Sequence, residues 1–163
     1  MRFELQQRFD HHPDLVGHAY ASPELYPTLV GLPKLGGITV LNSERDGATA
    51  RLSIRFAFTG ELPAAVTAVV DPARLTWIQE SVHDLATGIT TFDLLPDHYP
   101  DRLQASGTAV LTPDGDGARR VVSGTLKVRA PLVAHRVEEA IVNGLEEYLV
   151  AEAPAVERYL SDA

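Results

Sequence analysis

The sequence predicts an α+β domain: a curved antiparallel sheet of about six or seven strands, with two short helices and one long C-terminal helix. Three observations predict it. A lone opening strand is followed by helical segments and then by an unbroken run of alternating strands. Asp-Gly pairs stand between those strands at hairpin positions. From Pro131 onward the apolar period changes from two to 3.6.

Residues 2–9 alternate, with Phe3, Leu5 and Phe9 on one face, and His11-His12-Pro13 ends that strand. Two short helices are then expected, Asp14–Ala21 and Pro23–Val30, each opening at a proline that a first helical turn tolerates. Gly31, Pro33 and Gly36-Gly37 form a turn-rich exit. Strands at 38–45 and 49–58 flank Asp46-Gly47. In the second of these, Ala50, Leu52, Ile54, Phe56 and Phe58 face one way while Arg51, Ser53 and Arg55 face the other. Such a sheet has one buried and one wet face. The piece PAAVTAVV at 63–70 fits a strand or a short helix. Further strands are expected at 75–84, 88–95, 103–112 and 119–130, with the loop Pro96–Pro100 carrying His98 and Tyr99.

In the C-terminal helix Val133, Val137, Ile141, Leu145, Tyr148 and Leu149 share a face, with Glu139, Asn143, Glu146 and Glu147 opposite. Pro154 is expected to kink or break it. Glu152 falls on the apolar side one turn past Tyr148. It is expected to meet water at a frayed end, or else to flank a cavity mouth. The lone first strand must join the later sheet to satisfy its backbone, and the helices then cover the apolar face.

The chain has 163 residues, 45% hydrophobic and 22% charged, which fits one domain with a sizeable core. No cysteine is present, so disulfides and thiolate chemistry are excluded. The formal net charge is −8 and the densest basic piece is Arg119-Arg120, which argues against nucleic acid and against anionic membranes. No apolar run is long enough for an integral membrane segment. The opening MRFELQQRFD lacks a signal-peptide core, so a cytoplasmic location is expected.

The element order resembles the helix-grip fold of the START-like superfamily over nearly the whole chain. The features that carry the resemblance are the opening strand MRFELQQRF, the helix pair Asp14–Val30 and the closing helix AHRVEEAIVNGLEEYL. Birch pollen allergen proteins, polyketide cyclases and lipid-transfer domains belong to that superfamily. Within it, the chain looks most like an uncharacterised actinobacterial family described as a domain of unknown function. The resemblance implies a cavity between the concave sheet and the long helix, which in such proteins holds sterols, acyl chains, polyketides or quinones. Some members are enzymes and some co-chaperones, with no shared catalytic motif to carry over.

Small residues sit mid-strand on two inward faces: Ala105, Gly107 and Ala109 beside Leu103 and Leu111, and Gly124 beside Val122 and Leu126. Gly144 is on the sheet side of the long helix. Either these residues let the helix lie directly on the sheet, or they leave a pocket. Phe56, Phe58, Trp77, Phe92, Tyr99, Leu145 and Tyr148 are the candidate lining. Trp77 alternates with Gln79, Ser81 and His83, which would point a few polar groups inward to orient a ligand. Ile78 and Val82 make the opposite face an equal candidate.

No metal site is expected. Asp10-His11-His12 are adjacent residues that chelate poorly in a strand, and no HExxH occurs. GxSxG and phosphate-loop motifs are also absent. Asp93 and Glu80 become acid–base candidates only if buried. The expectation is therefore carriage of a small apolar molecule, lipid-, isoprenoid- or polyketide-like, with no cofactor. A cyclase- or aromatase-like enzyme and a ligand-free interaction module are the alternatives.

Overall fold

A computed structural model describes residues 1–163. Seven strands form one antiparallel sheet: β1 (Arg2–Phe9), β2 (Leu35–Asp46), β3 (Thr49–Phe58), β4 (Thr76–Asp84), β5 (Ile89–Pro96), β6 (Leu103–Asp114) and β7 (Gly117–Val128). Their spatial order is β1-β7-β6-β5-β4-β3-β2. The first strand thus pairs with the last, Leu5 opposite Val122, and both sheet edges come from the N-terminal third of the chain.

The hairpins are tight. Asp46 pairs with Thr49 around Gly47-Ala48, and Asp114 pairs with Gly117 around Gly115-Asp116. Gly47 and Gly115 have φ of 57° and 60°, the left-handed conformation that a first central hairpin residue needs here. Register shifts between Gly36 and Thr39 and between Val40 and Asn42 bend β2 and add to the curvature.

Three helices complete the fold: α1 (Pro13–Tyr20), α2 (Ala64–Thr67) and α3 (Ala134–Asp162). The piece at 63–70 is therefore helical. The expected second helix, Pro23–Val30, does not form; a single 3-10 turn spans Tyr26–Thr28. Ser22 and Tyr26 both precede prolines, which disfavours the α conformation there, and Pro27 has no N–H to donate. The segment uses i→i+3 bonds instead, Thr28 N to Leu25 O and Leu29 N to Tyr26 O.

Of the two outcomes expected at Pro154, a kink or a break, the break does not occur. The helix α3 runs through it to Asp162. The proline leaves the Val150 carbonyl without its helical donor, and Val150 is exposed, so water can take that role. Tertiary packing holds the segment, since Ala153, Ala155 and Val156 are buried on either side of Pro154. No helix is long and apolar enough to cross a membrane.

The core lies between the concave sheet face and α1 and α3, with Val16, Leu25, Leu52, Ile54, Val66 and Val156 fully enclosed. On β4 the Trp77 face is the inward one: Ser81 and His83 are buried, while Glu80 is exposed.

Candidate functional site

A cavity of about 110 Å³ lies under α3, lined by 22 residues of which 17 are hydrophobic. Its apolar wall comes from paired strands and the helix. Phe56 and Trp77 are direct partners on β3 and β4, and their rings stack at 6.1 Å with 19° between planes. Phe92 on β5 and Leu126 on β7 continue the floor, and α3 contributes Ile141, Val142, Leu145 and Leu149 as the lid.

Of the residues singled out from sequence, Phe56, Phe58, Trp77, His83, Phe92, Leu126, Leu145 and Tyr148 line this cavity. The other four do not. Tyr99 lies in the 97–102 loop with φ of 56°, where its hydroxyl accepts from Asp71 N and Arg102 stands over its ring. Ala109 is buried in the core between the lining residues Thr90 and Val122 but is not itself part of the wall. Gly144 faces an edge of Phe58, and a Cβ there would meet that ring at 2.7 Å.

Gly107 and Gly124 are opposite one another on β6 and β7, and they create no empty space. A Cβ at Gly107 would meet Ser123 O at 2.3 Å and Phe92 Cζ at 2.7 Å; one at Gly124 would meet Ser106 O at 2.3 Å and Phe3 Cζ at 3.1 Å. The rings of Phe92 and Phe3 therefore reach onto the two glycines. The small residues admit aromatic rings from within the sheet, an arrangement different from both helix-on-sheet contact and an open void.

One end of the cavity is polar. Arg120 on β7 points inward and sits 4.0 Å over the Tyr20 ring, a cation–π contact. Its Nη1 donates to Gln7 Oε1 at 2.8 Å, and Gln7 Nε2 donates to Glu152 Oε1 at 3.2 Å. Tyr20 Oη donates to the same Glu152 oxygen at 2.5 Å. Gln7 thus connects the half-buried positive charge of Arg120 to the buried carboxylate of Glu152, which reduces the cost of removing either from water. Gln7 Nε2 also reaches the Leu149 carbonyl at 2.9 Å and so ties β1 to α3.

Glu152 is 5% exposed, which overturns its expected place in water. Because Pro154 does not end the helix, the i, i+4 spacing from Tyr148 carries Glu152 to the interior. Arg120, Gln7, Tyr20 and Tyr26 were missed in the sequence. A signal for Arg120 was present: it stands two residues before Val122 on the face that includes Gly124 and Leu126. The others have no local signal, because their partners are distant in the chain.

Two groups are unusual. His83 sits between Ser81 Oγ and Thr90 Oγ1, each 3.0 Å from a ring nitrogen. Burial, assisted by the positive charge of Arg120, pushes its pKa down to about 4, so the ring is neutral near pH 7. Tyr148 Oη is fully buried with no hydrogen-bond partner. Burial raises its pKa well above the usual value, and the Glu152 carboxylate raises it further. The two groups are therefore near neighbours, yet the geometry between them is not that of a hydrogen bond. Tyr26, by contrast, is satisfied, donating to Tyr20 O at 2.6 Å.

The remaining candidates for chemistry lie elsewhere. Asp93 and Glu80 are register partners on the wet face, both exposed. His11 pairs with Glu157, and His12 accepts from Asp14 N at the start of α1. No three His, Asp or Glu side chains stand close enough to hold a metal ion.

A curved seven-stranded antiparallel sheet with a long C-terminal helix packed across its concave face is the helix-grip fold. The chain belongs to the family described as protein of unknown function (DUF2505), whose model matches residues 4–160. No curated protein matches it in sequence. Among solved structures it is similar to TTHA0849 from Thermus thermophilus, with a TM-score of 0.68 and 18% identity, covering 99% of this chain and 98% of that one. It is similar to the Zhui aromatase/cyclase from Streptomyces sp. R1128, with a TM-score of 0.67 and 17% identity over 99% and 93% of the two chains. A third is norcoclaurine synthase from Thalictrum flavum in complex with dopamine and hydroxybenzaldehyde, with a TM-score of 0.67 and 17% identity over 99% and 87%. At these identities the likeness is one of fold.

Proposed function

We propose that the protein binds a small, largely apolar molecule in the cavity between the sheet and α3. The observation that carries this is the cavity itself: an aromatic and aliphatic wall with polar groups confined to one end, the usual make-up of a small-molecule site. The fold likeness to norcoclaurine synthase, a protein seen with two ring compounds, agrees with it. The volume argues for a modest ligand. Drug-sized sites occupy on the order of 300–1,000 Å³, so about 110 Å³ suits one small ring or a short chain. A sterol- or polyketide-sized guest requires α3 to move outward.

A cyclase-like enzyme would draw support from His83, Asp93 and Tyr99 converging on the cavity. Only His83 reaches it, and both its nitrogens are engaged. A ligand-free interaction module would be better served by a filled core.

The test is a titration with single-ring and short-acyl compounds, followed by fluorescence and thermal unfolding. Trp77 is the only tryptophan and lines the cavity, so its emission reports occupancy. A ligand at about 100 times its Kd stabilises the native state by about 2.7 kcal/mol. No emission change and no stabilisation with either class would refute the proposal.

A further inference from the structure

The polar end of the cavity narrows the ligand chemistry. Tyr148 Oη is a buried hydroxyl with no partner in the protein, on a residue 3% exposed that lines the cavity. A buried polar group left unpaired is costly, and native structures seldom keep one without a use. One helical turn away, Glu152 Oε1 already accepts from Tyr20 and Gln7. Glu152 lies close enough to raise the Tyr148 pKa, yet the hydroxyl makes no well-formed bond to it and Oε2 accepts none from elsewhere in the protein, so a donor and an acceptor face the same space without a good partner.

We propose that the ligand carries a neutral hydroxyl, an alcohol or a phenol, seated between Tyr148 and Glu152. This rests on the cavity being a small-molecule site. A hydroxyl accepts the Tyr148 O–H with its oxygen and donates its own hydrogen to Glu152 Oε2, satisfying both groups at once. A ketone or ether only accepts, and leaves Oε2 unpaired. A carboxylate sets a second negative charge against Glu152, with the desolvation of both to offset. An ammonium sets a second positive charge in a pocket that already holds Arg120. Gln7 ties Arg120 to Glu152, so the site has no net charge to spare for an ionic guest. The volume of about 110 Å³ fits one ring bearing that hydroxyl.

The experiment is calorimetric titration of the full chain and of Tyr148→Phe with p-cresol, toluene and 4-methylbenzoate. These probes share a ring and a methyl group and differ in the polar group. The expected result is that Tyr148→Phe weakens p-cresol about tenfold, the effect of one hydrogen bond in a closed site. Toluene affinity changes less than about twofold, and 4-methylbenzoate binds the native protein at least about tenfold more weakly than p-cresol. The variant loses only an unpaired hydroxyl, so its unfolding midpoint is expected at or above that of the native chain. This guards against a binding loss caused by misfolding. If toluene binds but p-cresol affinity is the same in both proteins, or 4-methylbenzoate binds best, the hydroxyl inference is overturned and the apolar-cavity reading stands. If none of the three probes binds, both fall together.

Discussion

The buried imidazole of His83 makes stability depend on pH in a defined direction. In the unfolded chain its pKa is about 6.5, and in the native state it is held at about 4 by burial and by Arg120. Between those values the unfolded chain binds a proton that the native protein does not. Stability therefore rises with pH across this window and is lost as pH falls through it. The ring is 4% exposed, so solvent screening does little to soften the effect. The full span of roughly 2.5 units corresponds to about 3 kcal/mol, of which about 2 kcal/mol is lost between about pH 7 and pH 5. The perturbation is His83→Gln, which keeps hydrogen-bonding capacity toward Ser81 and Thr90 but does not titrate. The assay is urea unfolding of both proteins at the two pH values. The gap between native and variant stability is expected to shift by about 2 kcal/mol against the native chain on going to pH 5. Carboxylates common to both proteins cancel in that difference. An equal pH slope in the two proteins would show that His83 titrates normally, and the account of a desolvated ring beside Arg120 would be wrong.

Other substitutions test the packing around the site. Gly107→Ala drives a methyl into the Ser123 carbonyl and the Phe92 ring at once, and backbone cannot yield there; a loss of about 1–3 kcal/mol is expected in chemical denaturation. Tyr20→Phe keeps the ring under Arg120 but removes the bond to Glu152; a cost of about 2 kcal/mol is expected for a hydrogen bond to a charged acceptor, read by the same method. Phe56→Ala removes the ring stacked on Trp77 and opens the cavity wall. It is expected to cost about 3–5 kcal/mol and to red-shift Trp77 emission as water reaches the indole.

Much of the fold is a consequence of local pattern. The alternation in 49–58 sets Leu52, Ile54, Phe56 and Phe58 inward whichever strands lie alongside, because side chains in a strand repeat every two residues. The 3.6 period from Val137 to Leu149 likewise fixes one buried stripe on α3. Glycines at 47 and 115 place the two tight hairpins, since few other residues accept positive φ there. Hence the antiparallel sheet and the long helix could be read in advance, and eight of the twelve residues singled out lie on the cavity wall. Several local readings failed, most of them where a tertiary contact outweighed a local preference. Pro154 breaks an isolated helix, yet Ala155 and Val156 are held in the core. The mid-strand glycines suggested either direct helix-on-sheet contact or a pocket, whereas the rings of Phe3 and Phe92 reach across them. The Pro23–Val30 segment, by contrast, lost its helix to its own prolines.

The polar end of the cavity is the part that tertiary structure alone decided. Gln7 and Glu152 are 145 positions apart, and Gln7 and Arg120 are 113 apart. They meet because β1 closes the sheet against β7 and α3 then crosses β1. No periodicity carries that information. Local pattern tells which face of an element is buried, whereas the pairing of distant elements determines which buried polar groups share one site.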